Sequence, residues 1–112
     1  MDRKEMARRY KETPRPAGVF RVTHTPSGRT LLGSSKDAPA MLNRIQAELR
    51  TRGHRNKKLQ ADWDAGGPDA FEFEILDLLS PKETAGYDPS EDLVALEELW
   101  RDKLHLDPED RY

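Results

Sequence analysis

Residues 18–33, GVFRVTHTPSGRTLLG, restrict the fold more than any other stretch of the chain. Val19, Phe20 and Val22 suit a pleated, half-buried surface. TPSG then breaks the run: proline presets the first corner of a turn, and Gly28 is free to adopt positive φ. The return stretch RTLLG completes a β-hairpin with glycine at its outer ends, Gly18 and Gly33. Such a hairpin cannot stand alone in water, so the rest of the chain must cover it.

The following stretches supply that cover. In SSKDAPAMLNRIQAELRTRG, Met41, Leu42, Ile45 and Leu49 recur at helical spacing, with Gly53 at the C-cap position. NKKLQADWDAGG is a shorter helix carrying Leu59 and Trp63. AFEFEILDLL alternates Phe71, Phe73 and Ile75 against Glu72 and Glu74, the pattern of a half-buried strand. After the loop SPKETAGYDPSED comes a last helix, with Asp88 as N-cap, Pro89 at the first helical position and Glu91 closing a capping box. It runs to about Leu104. The order hairpin, helix, helix, strand, helix predicts an α+β sandwich, a three-stranded antiparallel sheet flanked by helices. Residues 1–15 read as an N-terminal arm or short helix, 16–106 as one domain and 107–112 as a polar C-terminal tail.

One carboxylate breaks the pattern of the last helix. Glu97 falls ~40° from Leu93 on the helical wheel, beside Leu93 and Leu104 and not on the opposite face. A carboxylate on an apolar stripe needs a cation or hydrogen bonds to offset its desolvation. A glutamate that bends to the rim, or that pairs with an arginine, meets the same need.

Composition excludes several classes. Of 112 residues 36% are charged and 35% hydrophobic, so there is one modest core. With no cysteine, disulfides and thiolate metal sites are absent, and His24, His54 and His105 form no metal-binding spacing. No apolar run approaches the ~20 residues of a membrane span, and no signal-peptide core opens the chain. A cytoplasmic protein with no membrane association is the expectation. The net charge of −2 hides a polarity. Residues 1–60 hold 15 Lys/Arg against 5 Asp/Glu, and residues 61–112 hold 4 against 16. The basic half suits a polyanion, with Arg21, Arg29, Lys36, Arg44, Arg50, Arg52, Arg55, Lys57 and Lys58 as candidate phosphate contacts. The acidic half suits a protein partner or self-association. Alternatively, the two halves neutralise each other within the fold.

The ordered set GVF, LLG, GSS, RGHRNKKLQADW, AFEFEIL and LEELW resembles the GIY-YIG nuclease superfamily over about four-fifths of the chain. The resemblance implies a DNA endonuclease that uses one divalent ion, Mg2+ or Mn2+, to hydrolyse phosphodiesters. It implies that Glu97, three residues before Trp100, is the metal-binding glutamate. Arg44 matches the arginine that stabilises charge on the scissile phosphate, and His54 matches a histidine kept near the site by some members. The two motif tyrosines are replaced, by Phe20 and Leu31. Phe20 keeps the ring without the proton-transfer group and Leu31 keeps neither, so weak hydrolysis is expected. Tyr10 is one candidate substitute base. The alternatives are a nucleic-acid-binding module without catalysis and a protein-interaction module.

Overall fold

The computed structural model describes residues 16–80 and 86–112. The expected N-terminal arm, with Tyr10, lies outside the described residues. Strands β1 (Gly18–His24) and β2 (Thr30–Ser35) form the expected antiparallel hairpin, with Phe20 opposite Gly33 and Val22 opposite Leu31. The turn is closed by the Gly28 N–H to the His24 carbonyl (2.7 Å), with Gly28 at φ 77°. β2 runs past Gly33 because Ser34 and Ser35 still pair with Val19 and Gly18.

Helix α1 (Ala38–Arg50) starts where the Asp37 carboxylate accepts the Ala40 N–H at 3.2 Å, and it buries Ala38, Leu42, Ile45 and Leu49. Its end differs from expectation. Arg52, not Gly53, is the left-handed residue, at φ 61°. The Gly53 N–H reaches the Glu48 carbonyl (2.8 Å) and the Arg52 N–H reaches that of Leu49 (3.2 Å), the pairing of a Schellman closure with Gly53 one position beyond the turn. Helix α2 (Lys57–Gly66) is capped by Asn56 and buries Leu59, Gln60 and Trp63.

Strand β3 (Phe71–Leu78) pairs antiparallel with β1, giving the order β2-β1-β3. The pairing slips by one residue: Phe20 opposes Ile75, yet Val19 opposes Asp77. This bulge ends the simple alternation read from the sequence, since it turns Asp77 to the face that Val19 occupies. Helix α3 (Ser90–Lys103) begins where the Asp88 carboxylate accepts the Ser90 N–H (3.0 Å) and hydroxyl (2.7 Å). Those bonds, with Lys36 at 3.3 Å, hold Asp88 below the usual aspartate range.

The two faces of the sheet are covered differently. Phe20, Val22 and Phe71 pack with Leu42, Ile45 and Leu49 of α1 and Leu59 and Trp63 of α2, and with the flanking Leu31, Met41 and Phe73. Val19 points the other way and is fully buried, on the side covered by α3 and its buried Leu93. There the Trp100 indole N–H donates to Asp77 at 3.2 Å. Residues 107–112 are docked. Arg111 bridges to Thr30 at the outer edge of β2, the Tyr112 N–H reaches the Thr30 carbonyl (3.1 Å), and the Tyr112 hydroxyl donates to Asp62 (2.6 Å). The strap protects one end of an edge strand from foreign pairing. Burial, then the bond to Asp62, raises the Tyr112 phenol above its ordinary range.

Candidate functional site

Phe20 and Leu31, the positions that the resemblance matches to two tyrosines, lie on one face of the hairpin, under α1. Phe20 is 4% exposed, and its ring lies across Gly33: a β-carbon there would come within 2.7 Å of the ring tip. This contact explains why LLG ends in glycine, since any side chain would displace the ring. Leu31 packs against the same cluster, and so does Met41 from α1. Phe20 thus belongs to this apolar cluster and Leu31 and Met41 flank it, and none of the three side chains can donate or accept a proton.

Arg44 is not part of it. It sits one turn beyond Met41, its side chain 68% exposed, and its Nε donates to Glu48 one turn further on at 2.8 Å. The residues of α1 that join the Phe20 cluster are Ala38, Leu42, Ile45 and Leu49, with Met41 packed against it, whereas the matched arginine faces solvent. Glu97 belongs to the opposite face of the sheet, on α3. Its side chain is 25% exposed and accepts from the Arg101 guanidinium at 3.0 Å. The carboxylate on the apolar stripe is thus offset by an arginine four residues on. Among the described residues no group of three His, Asp or Glu side chains could hold a metal ion. Glu97 is paired with Arg101, and a single carboxylate is the one donor that the expected Mg2+ or Mn2+ ion would find at this position.

His54 lies in the α1–α2 loop, where its Nδ1 accepts the Asn56 N–H at 3.0 Å. The ring shapes the loop backbone there. The basic residues divide into two groups. Arg21 pairs with Glu74 across the β1–β3 ladder, Arg29 with Asp62 (3.4 Å) and Lys36 with Asp88 (3.3 Å). For these three the two halves of the chain neutralise each other within the fold, the alternative expected from the charge polarity. Arg50, Arg52, Arg55, Lys57 and Lys58 are exposed, and none forms an ion pair among the described residues. Sequence reasoning missed Gln60, which fixes that loop, and the cluster of Asp62, Tyr112 and Arg29. A polar residue inside the buried stripe of α2 was the available signal for Gln60; Tyr112 gave none.

On the acidic side an open groove of about 460 Å³ lies between α3 and the end of β3, lined by Leu79, Tyr87, Asp92, Ala95, Leu96 and Leu99. No helix among the described residues is long and apolar enough to cross a membrane.

No protein-family model and no curated protein sequence matches the chain. Solved structures do. The chain is similar to the catalytic domain of the homing endonuclease I-TevI at a TM-score of 0.66 and 22% identity, over 86% of this chain and 95% of that one. A mutant form of the same domain, described as that of an intron endonuclease, gives a TM-score of 0.67 and 21% identity over 87% and 91%. The fold is that of a GIY-YIG endonuclease catalytic domain. The expected three-stranded antiparallel sheet with flanking helices is therefore the observed one, and the resemblance first seen in short motifs extends through the whole described fold.

Proposed function

We propose that this chain is a nucleic-acid-binding domain of the GIY-YIG nuclease type in which phosphodiester hydrolysis is lost or residual. One observation carries this reading: Phe20 is buried in the hydrophobic core, and Leu31 and Met41 pack half-buried against it, so these positions are apolar. A hydrolytic site needs a group to position or deprotonate water and a cation beside the phosphate. Phe20, Leu31 and Met41 offer neither, whereas five cations with no ion pair among the described residues run from the end of α1 (Arg50) through the loop (Arg52, Arg55) to the start of α2 (Lys57, Lys58). The I-TevI neighbours are described as endonucleases, which supports DNA as the polyanion.

A second reading is a weak one-metal endonuclease, favoured by the half-buried Glu97 three residues before Trp100. The groove beside α3 favours a docked protein partner in addition. Titration of a fluorescein-labelled duplex from ~50 to ~200 mM salt tests the binding reading, because phosphate contacts release counterions and give a steep salt dependence. The expected outcome is binding that weakens steeply over that range. A flat response, or no binding at low salt, would reject it.

A further inference from the structure

The α1–α2 loop combines a fixed backbone with outward cations, and this combination has its own consequence. The loop is held from within. The Gln60 amide, buried against α1, donates to the Leu49 carbonyl at 2.9 Å, and its oxygen accepts the His54 N–H at 3.2 Å. His54 accepts from Asn56, whose side chain caps α2 by accepting the Leu59 N–H at 3.1 Å. None of these bonds uses a cation of the loop. Arg50, Arg52, Arg55, Lys57 and Lys58 all face solvent, while the three cations nearer the sheet are drawn onto acids. The N-terminal end of α2, capped by Asn56 and with no acidic residue in its first turn, adds positive potential beside these cations.

Arg52 is the informative residue. It occupies the left-handed position of the α1 closure at φ 61°, where glycine is the usual occupant and a β-carbon adds steric cost. Gly53 stands next to it, outside the left-handed region, so the glycine is one residue away from the position that would favour it. We infer that the loop of residues 50–58 is a preformed clamp for the phosphate backbone of DNA, and that arginine occupies position 52, against its backbone preference, because its guanidinium contacts that backbone. The inference rests on the nucleic-acid-binding reading and goes further, naming the contact surface and one residue held at a cost to the fold. Strained positions retained where a ligand binds are a known trade of stability for function.

The test is Arg52→Gly, assayed for melting temperature and for duplex binding by anisotropy as a function of salt. The glycine variant should melt a few degrees higher, because the left-handed strain is relieved. The same variant should bind several-fold more weakly at low salt, with the log–log salt slope reduced by about one. Arg52→Lys should keep the binding slope without the rise in melting temperature. Lys103→Gln, a cation removed from α3, should leave the slope unchanged. If Arg52→Gly binds like the wild type while the wild type shows a steep salt slope, the clamp assignment is wrong and the broader binding reading stands. If the melting temperature does not rise, the argument from backbone strain fails. If the wild-type chain binds no duplex at any salt, the binding reading fails and this inference fails with it.

Discussion

The two faces of the sheet share three strands and differ in what covers them. Under α1 and α2 lies a dense apolar layer in which Leu49, Leu59 and Val22 are fully buried. Under α3, Val19 and Leu93 are buried, and polar pairs lie on the same side: Arg21 with Glu74 within the sheet, Asp77 with the Trp100 indole between sheet and helix, and Glu97 with Arg101 within the helix. On the first face Phe20 is buried and Leu31 packs against the same cluster, so both side chains contribute packing. The second keeps its carboxylate and has paired it within its own helix. Both faces still hold the hairpin, since hydrophobic burial needs no polar group at Phe20 or Leu31.

The largest expected effect contrasts the two coverings directly. Leu59→Ala, in the α1–α2 layer, should cost about 2–5 kcal/mol in urea unfolding. Val94→Ala, on the exposed side of α3, should stay within ~0.5 kcal/mol. Equal losses would contradict the exposed placement of Val94.

Next in size is restoration of the phenols. General-base assistance is typically worth ~10²–10⁴-fold in rate. If the first face has become core, Phe20→Tyr with Leu31→Tyr leaves plasmid cleavage at the wild-type level and lowers stability, because two hydroxyls enter an apolar layer. A gain of ~10²-fold or more would show that the rest of a hydrolytic site is intact.

The Glu97 carboxylate gives a smaller effect. Glu97→Gln should cost under ~1 kcal/mol, as expected for a partly exposed pair four residues apart. Manganese should leave the melting temperature of both proteins unchanged. A rise in the wild type that Glu97→Gln abolishes would establish the carboxylate as a ligand and favour the one-metal reading.

The smallest effect concerns the docked C-terminus. The Tyr112 phenol is raised by burial and by Asp62, so the folded state favours its neutral form. That contribution is fully present below the ordinary tyrosine value near ~10 and declines as pH rises beyond it. Chemical denaturation between pH ~9 and ~11 should show the wild type losing stability more steeply than Tyr112→Phe. Parallel curves would show that the phenol is not held by the fold.

Much of the architecture was legible in the sequence because it depends on local rules. The turn glycine, the 3.6-residue stripe of α1 and the alternation of β3 each follow from backbone geometry. The helix ends were less so: Arg52 replaces Gly53 at the α1 closure because the last hydrogen bonds, not the nearest glycine, set the boundary. The bulge that turns Asp77 toward Trp100 left no local trace, and neither did the return of Tyr112 to Thr30, since both are fixed by distant partners. The site was legible only as a list. Sequence placed Phe20, Leu31, Arg44 and Glu97 in one motif, whereas the fold sets Arg44 and Glu97 on helices across the sheet from each other. It also puts Met41, which carried no signal beyond its apolar spacing, against the Phe20 cluster.

The most direct test of the account is one gel: wild-type protein, with all its side chains native, mixed with supercoiled plasmid in low salt and manganese, with retardation and nicking read in the same lanes. The account predicts retarded plasmid that stays supercoiled, or that is nicked only slowly at protein excess. Catalytic conversion to nicked or linear DNA at substoichiometric protein would contradict it.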